Sequence, residues 1–174
     1  MAALPKLPRR GGWLEPVRLD RETFRSTLSR FASGVTVVTS ALGGDIGGMT
    51  VSAFCSVALE PHLVLVSLAV DKETTKLVAE SAMLAVNILS AGQERLSERF
   101  AFVDHGERFD GVDWSRGVTG LPHLAGALAV LECRVTASLP AGDHVIYVGE
   151  VHAAWIADGE PLVYSQGAYR PLKD

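Results

Sequence analysis

The sequence predicts a mainly β protein, a closed or nearly closed antiparallel barrel with peripheral helices. Three observations lead there. The stretch from Gly34 to Leu68, GVTVVTSALGGDIGGMTVSAFCSVALEPHLVLVSL, reads as three strands in succession. Later, Leu131, Cys133, Val135 and Ala137 alternate with Glu132, Arg134, Thr136 and Ser138. That segment turns at Pro140-Ala141-Gly142 and runs back from Asp143 to Trp155, a hairpin with one wet face. Helical periods between the strands are too few for a doubly wound sheet, and closure removes exposed edges.

In chain order, residues 1–19 read as an N-terminal tail ahead of one domain over 20–174. Their opening, MAALPKLPRRGGWLEPVR, has prolines at 5 and 8 and no continuous apolar core, so it is not a secretory signal. Asp20 caps a helix in RETFRSTLSRF, with Phe24, Leu28 and Phe31 at helical spacing. Ser33-Gly34 ends it. Gly34 to Leu42 is the first strand and GGDIGG the turn cluster after it. Gly48 to Leu59 is the second strand, closed by Glu60-Pro61. The apolar run Leu63 to Ala69 predicts a strand buried on both faces. Lys72 to Ser81 reads as a helix, Met83 to Leu89 as a strand, and Gly92 to Val103 as an amphipathic helix with Leu96 and Phe100 inward. Asp104 to Leu121 has no clear period and reads as a long loop, of a length that is often functional. Pro122 to Ala129 approaches the hairpin, and Pro161 to Tyr164 forms a short strand after the Asp158-Gly159 turn. The sum is about seven strands and three helices.

The chain has 174 residues, of which 48% are apolar, with a formal charge of −4. Such a chain buries roughly 70% of its unfolded surface and needs no staples. It offers no basic field for nucleic acid and no run of the ~20 apolar residues that a membrane helix requires. Cys55 and Cys133 are its two cysteines. They make no disulfide framework, and a reducing, cytoplasmic setting fits them best.

The chemical motifs are sparse. GGDIGG has P-loop spacing, but Met49-Thr50 stands where Lys-Ser/Thr is required, and a strand follows instead of a helix. No GxGxxG opens a helix, so a Rossmann site is not expected. The histidines His62, His105, His123, His144 and His152 show no metal-ligand spacing, so no metal is expected. Four of them read as surface or loop residues. His144 follows Gly142-Asp143 at the base of a long strand, where a side chain can point into a barrel mouth. No G-x-S-x-G elbow is present, and Ser56 has no recognisable hydrolase partners. Glu107, Asp110 and Asp113 read as solvated loop carboxylates. Thr74 or Thr75 either caps the helix after Lys72 or presents hydroxyls and N–H groups to a phosphate. The middle strand carries Thr50, Ser52, Cys55 and Ser56 where a buried strand would hold Val, Ile or Leu. In a regular strand Thr50, Ser52 and Ser56 share one face, and burying hydroxyls requires hydrogen-bond partners from the protein or from a flat polar ligand.

Several blocks occur in an order that resembles the NAD(P)H:flavin oxidoreductases that serve two-component monooxygenases. They are FASGVTVVTS at 31–40, GMTVSAFCSVALEP at 48–61, LVLVSL at 63–68, AVNIL at 85–89, LSERFA at 96–101, GLPHLAGALAVLEC at 120–133, AGDHVIYVGEV at 141–151 and PLVYSQGAYRPL at 161–172. The resemblance implies the FMN-binding split barrel, antiparallel and Greek-key-like, paired as a homodimer with flavin near the interface. It implies hydride transfer from NADH or NADPH to FMN or FAD, the reduced flavin then diffusing to a flavin-dependent monooxygenase. Carried over, Met49, Thr50, Val51 and Ser52 edge the isoalloxazine and Ser56 and Val57 support it. Ser67, Leu68 and Ala69 run beside the ribityl chain. Lys72, Thr74 and Thr75 reach the phosphate. His144 sits near the nicotinamide as the catalytic residue, and Tyr169 and Arg170 lie near the same site. The chain departs from the family pattern at Cys55, where Thr is usual, and at Asp71 and Glu73, which make the phosphate segment more acidic. Hydride transfer between cofactors needs orientation and no protein nucleophile, which accords with the lack of a triad. The main alternative is a non-catalytic flavin-binding protein on the same barrel. A barrel enzyme oxidising a small amine or binding haem, and a purely structural module, are further alternatives.

Overall fold

The computed structural model describes residue 16 and residues 18–172. Asp20 caps helix α1 (Arg21–Leu28), its carboxylate accepting the Thr23 N–H at 2.8 Å. The short β1 (Ser33–Gly34) leads into β2 (Thr36–Leu42), and the Gly43-Gly44 turn returns the chain as β3 (Asp45–Val51). Then come β4 (Phe54–Ala58), β5 (Leu63–Ala69), helix α2 (Glu73–Ser81), β6 (Met83–Ile88) and helix α3 (Glu94–Phe102). A 3-10 turn spans His105–Glu107, followed by β7 (Trp114–Arg116) and β8 (Pro122–Leu124). The long hairpin is β9 (Ala129–Ala141) and β10 (His144–Ile156), and β11 (Val163–Ser165) and β12 (Ala168–Arg170) close the chain.

The main sheet has seven strands in the order β3-β2-β6-β9-β10-β5-β4, every pair antiparallel. Its two edges, β3 and β4, are joined covalently through Ser52-Ala53. The Ser67 N–H donates to the Ala53 carbonyl at 3.0 Å, so the sheet wraps nearly shut. This is the barrel expected from the sequence. Val38, Val66, Leu68, Val86, Cys133 and Tyr147 fill its inside. A second apolar cluster, with Val35, Val37, Leu89, Phe100, Leu124 and Leu162, lies under α3.

Several expectations are corrected in detail. Of GGDIGG only Gly43-Gly44 turns, because the two-residue hairpin lets Asp45 pair with Leu42 and brings Gly47 and Gly48 into the strand. The expected strand over 48–59 breaks at Ser52-Ala53, so Thr50, Ser52 and Ser56 do not share the face of one regular strand. β5 is fully buried on one side, through Val64, Val66 and Leu68, and half-buried on the other. The expected loop over 104–121 contains the 3-10 turn and β7. The long hairpin turns at Gly142-Asp143, and Pro140 and Ala141 belong to β9. Its face is not uniformly wet: register shifts in the β9–β10 pairing go with a fully buried Glu132. Among the described residues there are twelve strands, the extra ones being short. The bulk of the predicted tail lies outside the described residues. Phe24, Leu28 and Phe31 have the predicted helical spacing, yet α1 buries no side chain.

Candidate functional site

β3 is held under unusual pressure from behind. A Cβ on Gly48 would stand 2.5 Å from Phe100 Cε1, and one on Gly47 would stand 2.7 Å from Leu77 Cδ1. Only glycine lets α2 and α3 approach the strand so closely. Arg108, 8% exposed, adds a clamp by donating from Nη1 to the Gly48 carbonyl at 2.6 Å and from Nε to Val103 O at 2.8 Å. Burial pulls the Arg108 pKa down, and Asp104 partly opposes this. Arg99 pins the same loop through the carbonyls of Glu107, Arg108 and Asp110.

In front of β3 lies a cleft of about 510 Å³. Thr50 and Ser52 form its floor, Ser97, Glu98, Ala101 and Phe102 of α3 one wall, and Tyr164, Ala168 and Tyr169 of the β11–β12 hairpin the other. Thr50 donates to the Ser97 carbonyl at 2.5 Å, and Tyr169 donates its phenol proton to Ser97 Oγ at 2.9 Å. Tyr164 and Tyr169 meet edge to face, with centroids 5.3 Å apart. Among the described residues, the Ser52 and Ala53 N–H groups donate to no backbone carbonyl. The strand break therefore leaves the Ser52 N–H as a main-chain donor at the cleft floor, with that of Ala53 next to it in the chain.

The predicted site residues fall into two neighbouring groups. Thr50, Ser52 and Tyr169 line the cleft. Val51 is buried, and its carbonyl accepts the Thr36 hydroxyl at 2.7 Å. Ser56 and Val57 are exposed on the edge strand β4. Along β5, Ser67 bonds to Ala53, while Ala69 lies opposite His144. Ala69 O accepts the Thr75 hydroxyl at 2.7 Å, and Thr75 Oγ1 lies 3.9 Å from Met49 Sδ. Met49 thus links the groups. Leu68, Thr74 and Thr75 are buried as whole residues. Lys72, at the N-cap of α2, is exposed and lies 3.3 Å from Asp71. Arg170 is exposed and lines a smaller adjoining cleft with Tyr169.

His144 opens β10 half-buried, and its Nδ1 is 2.7 Å from Asp143 Oδ1. That hydrogen bond, and then the charge interaction of the pair, hold the Asp143 carboxyl below its ordinary pKa. His144 is not among the residues that line the large cleft. It lies beyond Ser67 and Ala69 on the same outward side of the sheet.

One expectation about histidines changes. His123 is no surface residue: it lies 2.8 Å from the buried Glu132, whose other oxygen accepts the Thr119 N–H at 3.0 Å. Nδ1 of His105 is buried without a partner, as is Thr74 Oγ1. Among the described residues no group of three His, Cys, Asp or Glu could hold a metal ion. Sequence reading missed Ser97, Glu98, Phe102 and Tyr164. The one signal for Ser97, Glu98 and Tyr164 is that they sit in the LSERFA and PLVYSQGAYRPL blocks, Phe102 follows directly after the first, and helix amphipathicity alone places Ser97 no differently from any small residue.

Comparison with known proteins bears on this geometry. The family described as "Flavin reductase like domain" matches residues 28–173. The chain is 44% identical over 152 residues to an NADH-dependent flavin reductase of Rhodococcus sp, covering 86% of this chain and 85% of the relative. It is 41% identical over 153 residues to the reductase component of a 4-hydroxyphenylacetate 3-monooxygenase of Thermus thermophilus, covering 87% and 97%. Among solved structures, the Streptomyces globisporus NADH:FAD oxidoreductase SgcE6 in complex with NAD and FAD fragments superposes with a TM-score of 0.84 at 37% identity, over 88% of this chain and 93% of that one.

Proposed function

The chain belongs to the flavin reductase-like family, and we propose that it transfers hydride from reduced nicotinamide nucleotide to FMN or FAD and delivers reduced flavin to a partner monooxygenase. The observation that carries this is the cleft itself. A strand break leaves a main-chain donor at Ser52, beside Thr50 and opposite two tyrosines, with no nucleophile or metal cluster among the described residues that line it. Flavin fits such a lining: a flat ring needs apolar walls, and its pyrimidine edge needs donors. Bound flavin supplies the hydride-accepting chemistry.

The chain's own contribution is orientation and charge. The Ser52 N–H, without a backbone acceptor at the cleft floor, would donate to a bound flavin and stabilise negative charge on its reduced ring, as fixed donors of this kind do strongly. Holding two rings at reacting distance is worth roughly 7–11 kcal/mol. Lys72 and the first N–H groups of α2 are the phosphate holders, since unpaired N–H groups at a helix start favour an anion. His144, steadied by Asp143, contacts the nicotinamide from the β10 end. Purified protein assayed for NADH and NADPH oxidation, with FMN, FAD, riboflavin or no flavin, tests the reading. Turnover only when flavin is present supports it, and none with any flavin overturns it.

The same proposal includes a homodimer and cytoplasmic residence. Phe24, Leu28 and Phe31 are 50%, 56% and 80% exposed. The outward side of β5 and β10 carries Leu63, Leu65, Ile146 and Val148, and Leu139 beside them is 61% exposed. Exposed apolar surface of this extent marks a protein interface. No helix among the described residues is long and apolar enough to cross a membrane.

A further inference from the structure

The floor and one wall of the cleft are tied together at a single residue. Thr50, on the floor, is held by the main-chain carbonyl of Ser97, and Tyr169, on the wall, by the Ser97 side chain. Ser97 is 2% exposed, so water competes poorly for either bond. The Tyr169 ring in turn sets the edge-to-face position of Tyr164. The hairpin is also anchored at β1 and at its tip. β1 pairs with β11, and at the tip the Gln166 N–H donates to Ser29 O at 2.8 Å. Tyr169 packs on the cluster that includes Val35, and among the described residues its bond to Ser97 is the hydrogen bond that ties the hairpin to α3.

We propose that Ser97 is a positioning residue that sets the spacing between cleft floor and hairpin wall, and so the register of the nicotinamide ring against the flavin. This rests on the flavin reductase reading above. Hydride transfer requires reacting atoms roughly 3–3.5 Å apart. A small slip of the wall therefore harms the joint complex more than the binding of flavin alone.

The test compares wild type with Ser97→Ala, Tyr169→Phe and the double variant. Both single substitutions remove the same bond, while Thr50 keeps its main-chain acceptor. The readouts are FMN affinity alone, NAD+ affinity of the FMN-loaded protein by fluorescence titration, kcat, and the melting temperature of each variant. Each single variant should weaken NAD+ binding to the loaded protein about 3–10-fold and lower kcat, with FMN affinity changed less than about twofold. The double variant should be no worse than either single one, because the pair acts as a unit. Effects that multiply in the double variant, or unchanged NAD+ affinity and kcat in folded single variants, overturn the role of Ser97. Wild type that binds FMN yet oxidises no nicotinamide nucleotide instead overturns the reductase reading, and this role with it.

Discussion

Asp143 and His144 make a surface pair whose bond orients the imidazole rather than stabilising the fold. The Asp143 carboxyl is held below its ordinary pKa by that bond. A lowered folded value means that its contribution is present above the unfolded pKa and is lost as pH falls through the folded one. Activity that depends on an oriented His144 should therefore hold at neutral pH and fall on the acid side, as a pH profile of kcat/KM would show. His144→Ala should weaken nicotinamide binding by about 1–3 kcal/mol, the size of one hydrogen bond to a polar group, and leave flavin affinity nearly unchanged. Loss of flavin with normal nicotinamide kinetics at saturating flavin would place His144 on the other ligand. The two thiols make a separate prediction. Burial pushes Cys133 up to about 12, with Glu132 adding to the rise, whereas Cys55 is exposed. Thiolates react and thiols do not, so native protein at neutral pH should titrate one thiol and denatured protein two. Two rapidly titrating thiols in the native state would contradict the buried position of Cys133.

At the scale of elements, β3 and the β7–β8 region carry the tightest constraints. Gly48→Ala drives a methyl into Phe100. It should cost about 1–3 kcal/mol of stability, the usual penalty of overpacking, and should lower flavin affinity by shifting Thr50. Unchanged melting temperature and flavin binding would mean that α3 yields freely. Glu132→Ala leaves the Thr119 N–H and His123 without their buried acceptor. Leaving buried hydrogen-bonding groups unsatisfied typically costs about 1–3 kcal/mol each, measurable by urea denaturation, and a loss under about 1 kcal/mol would show that these bonds are dispensable. The sequence made much of this framework legible. β2, β5, α2, β6, α3 and the long hairpin appear where period and turn residues put them, because the apolar spacing matches the buried face, while α1 forms behind its Asp20 cap although it buries no side chain. The break at Ser52-Ala53 was not legible, since its residues suit a continuing strand and only barrel closure through Ser67 bends the chain there. Nor was the burial of Glu132, which depends on bulges and on a partner from β8 that alternation cannot reveal. For the site, motif blocks marked Thr50, Ser52 and Tyr169, but Ser97 joins them only in three dimensions.

For the whole molecule, the barrel is a frame and the proposed chemistry lies at its seam. β3 and β4 close the sheet at Ser52-Ala53, and that closure leaves the cleft floor its free donor. The apolar outer side of β5 and β10, with the unburied face of α1, should pair with a second copy. An obligate dimer would bury upwards of about 2,000 Å², and light scattering at micromolar concentration should give twice the mass of the chain. A monomer there would leave that surface without its proposed occupant. The central claim is that this seam carries hydride between two dissociable ligands. Its most direct measurement is anaerobic mixing of catalytic protein with excess FMN or FAD and NADH, following the visible flavin absorbance. The account predicts that flavin bleaches one for one with NADH consumed, through many turnovers and at a rate proportional to protein. Bleaching no faster than in the absence of folded protein would contradict it.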